Sequence, residues 1–418
     1  MNQTDSPQGT SPPQTGLPSD PTVPVGPGSS VGRLVGVDLA RALAVFGMYA
    51  VHLGPPPASA SGVEGWLLGL AEGRSSVLFA TLAGFSLMLI AGRREPKTGL
   101  AGRQARARIV IRAVVLVALG TALAAAGAGS VVILAYYGVY FLLALPLLRL
   151  RAGTLAVVAA GLAVVTPLAQ DALRALVSGQ LEETLNAYDP LKKLSDVGVL
   201  DILLTGFYPT ITWMTYVVTG MALGRLDLSA VTVQRRLAAL GAALITVGYG
   251  TPWLLTRLFD GLRAVAQEPW GRAAEKATSA AVESGVGDKS SPAPGGAGWE
   301  LLLARPHSGT TFDMLGSLGV AITVLVAATV AMTQLPWLRR LLTPVIAVGT
   351  MSLTAYVGHF VVSMMLGAPI GDTAASSTPL LGFIVGAVLF AAIWSRFFRR
   401  GPLEHLLNTA TKPARFVR

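Results

Sequence analysis

The chain has no cysteine. That excludes a disulfide framework, a thiol nucleophile, an iron–sulfur cluster and a cysteine zinc site. Charge is scarce as well: 13% of the 418 residues are Asp, Glu, Lys or Arg, against about 25% in an ordinary soluble domain. So few charges do not clothe a water-soluble fold of this length, and 52% hydrophobic residues exclude a disordered chain. No Walker A loop, no G-x-G-x-x-G before a helix and no G-x-S-x-G elbow is found, which disfavours an ATP-driven pump. The start of the chain lacks a basic segment followed by an apolar one, so no signal peptide is expected.

What is present is a basic excess, net charge +10, spread in short clusters between apolar runs. That pattern suits membrane topology and not a nucleic-acid face, so no nucleic-acid partner is expected. Residues 1–32 are rich in Pro, Ser, Thr, Gly and Gln and read as a disordered tail. From Arg33 on, apolar runs of about 20 residues recur, enough for a ~30 Å hydrocarbon core. The expected spans are 34–53, 74–92, 109–128, 130–148, 154–172, 200–224, 237–256, 309–332, 343–367 and 378–396. The expected fold is an all-α polytopic membrane helix bundle of about ten transmembrane helices over 33–400, with an outer loop at 257–306 and a basic tail at 401–418.

Alternate loops carry the basic residues: Arg93 to Arg112, Arg149 and Arg151, Arg225 to Arg236, Arg339 and Arg340, and Arg396 to Arg400. The positive-inside rule places these loops and both termini in the cytoplasm, and the high Ala, Gly, Val and Arg usage leads to the expectation of a bacterial, multi-pass plasma-membrane protein. Gly220 and Gly224 form a small-xxx-small pair that lets the sixth span approach a neighbour closely.

Polar groups kept inside a bilayer cost about 2.5–3.5 kcal/mol each when ionised, so each needs a reason. In the first span, Asp38, Arg41 and His52 fall within an arc of about 60° at ~100° per residue. Arg41 and His52 are about 16 Å apart along the axis. The competing reading makes Asp38 and Arg41 a snorkelling i,i+3 pair and His52 an interfacial histidine. In the ninth span, Ser352, Tyr356 and His359 share a face, against a purely structural hydrogen bond for His359. His307, Ser308 and Asp313 open the eighth span, where Ser308 or Thr310 is placed to cap the helix. The sixth span carries a Thr/Tyr stripe from Asp201 to Thr219, with Pro209 as a kink. Arg74 stands at the outer start of the second span beside Glu72, against the basic trend; a rim salt bridge is its bland reading. Three of the four histidines thus fall at similar depth, where neutral imidazoles accept protons near pH 7. No metal-ligand spacing accompanies them, so no metal is expected.

The segments VGVDLARALAVFGMYAVHLG, GRSSVLFATLAGFSLML, FYPTITWMTYVVTGMALGR, PHSGTTFDMLGSLGVA, SLTAYVGHFVV and GPLEHLLNTAT resemble the bacterial YeiB-like membrane proteins over roughly residues 33–410. That group is similar to heparan-alpha-glucosaminide N-acetyltransferase and, more distantly, to the type 3 acyltransferases. The resemblance implies transmembrane acyl transfer, with acetyl-CoA or another acyl-CoA as cytoplasmic co-substrate and an envelope glycan, a lipid or a small molecule as outer acceptor. The Arg-x10-His spacing of the type 3 relatives is matched by Arg41 and His52, which implies Arg41 near the donor and His52 as general base. His52, Asp38, His307 and His359 are the candidate catalytic residues, and Arg41, Arg74 and Tyr356 the candidate cofactor-binding ones. A thioester is already activated, so positioning and removal of one proton suffice. A proton-coupled transporter or exporter, and a structural membrane protein, stay open as alternatives. So do the acceptor, the acyl chain and a homo-oligomer; the lipid bilayer is an expected partner.

Overall fold

The structure is a computed structural model in which residues 28–267, 300–367 and 376–417 are described. Most of the expected tail at 1–32 and much of the expected outer loop at 257–306 lie outside the described residues. All regular structure among the described residues is helical. The helices are α1 (Gly28–Leu53), α2 (Gly62–Ala71), α3 (Arg74–Ala91), α4 (Gly99–Leu123), α5 (Leu134–Leu143), α6 (Ala152–Val177), α7 (Gln180–Tyr188), α8 (Pro190–Ser195) and α9 (Thr210–Arg225). They continue with α10 (Val231–Ile245), α11 (Thr251–Leu258), α12 (Asp260–Gln267), α13 (Thr311–Gln334), α14 (Pro336–Leu341), α15 (Thr343–Thr350), α16 (Ser352–Leu366), α17 (Thr378–Phe397) and α18 (Pro402–Ala410).

Seven helices or joined helix pairs among the described residues are long and apolar enough to cross a membrane, and eight if α15 and α16 count as one bent span. Two of the ten expected spans appear as shorter pieces, α5 with 10 residues and α9 with 16. The causes are local. Gly127 and Gly129, with φ of 104° and 70°, turn the chain ahead of α5. Pro209 sits in extended backbone just before α9 and disfavours helix at the residue preceding it, so it ends a helix instead of kinking one.

The middle of the bundle is α1, α3, α9 and α13, whereas α17 shows most of its apolar surface outward, as a lipid-facing helix does. The glycine pair of α9 acts as its spacing predicts, against α3. A Cβ on Gly220 would stand 1.8 Å from Thr81 O, and one on Gly84 of α3 would stand 2.0 Å from Val217 O. Backbones approach this closely only where side chains are missing.

The basic turns are sewn together at one end. The Arg225 guanidinium donates to the carbonyls of Arg93, Leu148 and Leu150, and Arg94 pairs with Asp227. The α3–α4, α5–α6 and α9–α10 turns therefore share this basic end. At the same end the expected continuous ninth span is broken: α15 and α16 meet at 86°, at Met351. A break leaves first-turn N–H groups without intrahelical acceptors. The Glu404 carboxylate of α18 supplies them, accepting from Leu353 N at 2.7 Å, Thr354 N at 3.1 Å and Thr354 Oγ1 at 2.5 Å.

Candidate active site

Two of the predicted histidines meet. His52, near the end of α1, and His359, in the middle of α16, have Nδ1 and Nε2 respectively 2.9 Å apart. Their rings lie almost parallel, 5.2 Å between centroids at 19°. They are 5% and 2% exposed, which places the pair inside the bundle and away from lipid. Aromatic rings fix it: Tyr49 packs on His359 at 4.9 Å and donates its hydroxyl to Ala355 O at 2.7 Å. Phe360 touches both imidazoles. Tyr356, one turn before His359, meets that ring edge-on at 5.3 Å. Two neutral imidazoles share a contact this short only when one donates and the other accepts.

Asp38 and Arg41 lie farther down α1, toward the basic end. Arg41 Nη1 donates to Asp38 Oδ1 at 2.7 Å and Nη2 to Ser86 Oγ at 2.9 Å. Arg41 thus faces α3, and it lines a 120 Å³ cavity together with Phe79, Ser86, Arg112, Tyr137 and Ser352. A free snorkelling pair would leave this interior wall bare. Ser352, the first residue of α16 after the break, also lines this cavity.

His307 stands at the other end. It lines a 660 Å³ cavity whose wall includes Tyr136, Gln170, Arg174, Lys192, Asp201 and Ser308. Its backbone has φ of 60°, a left-handed conformation that non-glycine residues adopt rarely. The imidazole stacks on Trp213 at 6.0 Å and meets the edges of Phe207 and Tyr208. Its Nδ1 is buried without a hydrogen-bond partner among the described residues. Burial lowers its pKa from 6.5 to about 4, so the ring is neutral near pH 7. Thr310, not Ser308, caps α13, accepting from Asp313 N at 3.2 Å. Asp313 accepts from Ser317.

Arg74 belongs to this second end. Its Nε donates to the Tyr249 hydroxyl at 2.9 Å and its Nη1 to Gly69 O at 2.7 Å. The guanidinium also lies over the Tyr249 ring. The neighbouring Gly73 abuts the His307 loop: a Cβ there would come within 3.0 Å of Pro306. Arg41 and Arg74 are therefore not companions, since Arg41 bonds to Ser86, about three turns along α3 from Arg74.

Between the cavities stands an aromatic wall that sequence reasoning does not single out. Tyr136 lines the larger cavity and Tyr137, the next residue of α5, the smaller. Phe79 stacks on both Tyr137 and Tyr356. The Tyr356 hydroxyl accepts from Ile133 N at 3.1 Å, and the Tyr208 hydroxyl donates to Val131 O at 3.2 Å. The tyrosine doublet in an apolar run was the only available signal, and it is a weak one. Glu404 left none, because its partners are fifty positions away.

A protein-family model described as heparan-alpha-glucosaminide N-acetyltransferase, catalytic, matches residues 33–251, more than half of the chain. The chain belongs to this family. Asp38, Arg41, His52 and Arg74 fall within that match. A second model, described as a protein of unknown function (DUF418), matches residues 294–413 and takes in His307, Tyr356 and His359. The two together bear out the YeiB-like resemblance. No curated protein and no solved structure matches the chain significantly. The protein is a multi-pass membrane protein with an acetyltransferase-type catalytic domain.

Proposed function

We propose that the protein carries an acyl group across the bilayer, from an acyl-coenzyme A entering at the basic, cytoplasmic end to an acceptor hydroxyl or amine in the larger cavity. The observation that carries this reading is the wall between Tyr136 and Tyr137: consecutive residues of one helix face two cavities. Donor and acceptor approach it from opposite sides, and only the acyl group need pass.

Arg41, oriented by Asp38, serves the donor, with Tyr356 at the boundary between the smaller cavity and the histidine pair. His307 offers its unpartnered Nδ1 to the acceptor. When His52 Nδ1 donates to His359 Nε2, the lone pair of His52 lies on Nε2, which makes it the general base. The acceptor oxygen or nitrogen attacks the thioester carbonyl, its proton passes to His52, the new C–O or C–N bond forms and the C–S bond breaks. The proton then returns to the departing thiolate, and His359 shares the imidazolium charge in the interval. Nothing in this sequence requires a metal or an acyl-enzyme. The Arg74–Tyr249 contact ties α3 to the acceptor end.

The test is purified protein in vesicles, labelled acetyl-CoA outside the basic face and envelope extract as acceptor. Label should reach an acceptor in the wild type and not in His52→Ala. Equal labelling by the variant would remove His52 from the reaction. Proton-coupled flux without any coenzyme A binding would support the transporter instead.

A further inference from the structure

Some arginines at the basic end are tied to partners within the fold. Arg41 has Asp38, Arg94 has Asp227, and Arg225 has three backbone carbonyls. Arg112 differs. It lines the smaller cavity, and Arg108 lies one turn earlier on the same face of α4. Arg400 lies in the turn just before α18, the helix that packs on α4 and contributes Leu407 to the same cavity, and its charge is felt at Arg112. Trp394 Nε1 donates to Arg400 O at 2.9 Å, which fixes the backbone of that turn, and Gln104 Nε2 donates to Arg415 O at 3.0 Å, which holds the C-terminal segment along α4. Among the described residues none of the three guanidinium groups has a hydrogen-bond or ion-pair partner. Three guanidinium groups gathered without a counter-charge repel one another, and the arrangement is relieved when an anion joins them.

We propose that Arg108, Arg112 and Arg400 form a phosphate-binding site at the mouth of the smaller cavity. The guanidinium fork matches phosphate oxygens two at a time. Behind the mouth the lining is largely apolar, from Phe79, Leu82, Leu116, Leu134 and Phe141, and 120 Å³ holds a short chain. The ligand is therefore an amphipathic phosphate ester with its phosphate at the mouth and its chain pointing inward. Two sources share this chemistry: the phosphates of a coenzyme A donor and the headgroup of an anionic lipid. The first rests on the function proposed above; the site itself does not.

The experiment compares full-length wild type with Arg112→Gln, Arg400→Gln and, as a basic residue outside the cluster, Arg396→Gln. Binding of coenzyme A and of phosphate-free pantetheine is measured by calorimetry in detergent. Retention of phosphatidylglycerol is measured by native mass spectrometry. Coenzyme A affinity should fall about tenfold or more in the two cluster variants, as expected for lost charge-assisted contacts, while pantetheine binding and Arg396→Gln stay at wild-type levels. Unchanged coenzyme A affinity with lost phosphatidylglycerol retention would support the site with lipid as its ligand. Failure of the wild type to bind coenzyme A, with lipid retention still dependent on the cluster, would overturn the acyl-coenzyme A reading and leave the site standing. Cluster variants that bind both probes like the wild type would overturn the site.

Discussion

His52 Nδ1 and His359 Nε2 meet at 2.9 Å across 307 positions of sequence. The contact joins α1 to the half-helix after the break at Met351, so the geometry of that break sets the geometry of the pair.

If the pair works as a unit, its two members should not contribute independently. His52→Ala and His359→Ala should each lower acyl transfer by about 10²–10⁴, the usual range for a general base. The double variant should lose little more than the worse single one. Initial rates with saturating donor measure this, and strictly multiplicative losses would separate the two residues.

His307 gives a pH dependence with a definite sign. An unfolded imidazole takes its proton near 6.5 and the folded one near 4. Between those values the unfolded state holds more protons, so stability is full above about pH 6.5 and declines as pH falls toward 4. His307→Asn, whose side chain tolerates the positive φ, should flatten the fall in Tm over that window. Parallel curves for variant and wild type would count against the buried neutral ring.

Gly220→Val drives a side chain into Thr81 O at the α3–α9 crossing. Overpacking of this kind costs about 1–3 kcal/mol. The variant should melt earlier in detergent than Gly250→Val, where a Cβ meets only a side-chain methyl at 3.8 Å.

Glu404→Ala strips the first turn of α16 of its acceptor. Lost caps cost about 0.5–2 kcal/mol, and here the freed N–H groups also lose the anchor that aims His359. Transfer activity should fall more than stability does, and Glu404→Gln, which keeps an acceptor oxygen, should recover part of it. Activity and melting temperature measured on the same samples decide the case.

Helices that must cross a bilayer announce themselves, because every crossing needs an unbroken apolar run; hence the all-α bundle and most of its spans were legible in sequence. So were Asp38 and Arg41, an i,i+3 pair, and the Gly220 approach, because both obey helical periodicity. The broken ninth span was not legible. Thr350, Met351 and Ser352 carry no strong helix-stopping signal, and the break is held by a carboxylate on α18. Likewise Arg41 and Arg74 look alike as lone arginines in apolar helices, and only packing sends them to opposite ends.

Local composition by itself determined that this chain enters a membrane and which helices keep polar groups there, since the cost of burying charge and backbone is paid residue by residue. Which of those groups touch was decided by the tertiary structure alone. Contacts such as His52 with His359, or Glu404 with Leu353, depend on how helices cross, and crossing angles arise from side-chain packing between segments far apart in the chain.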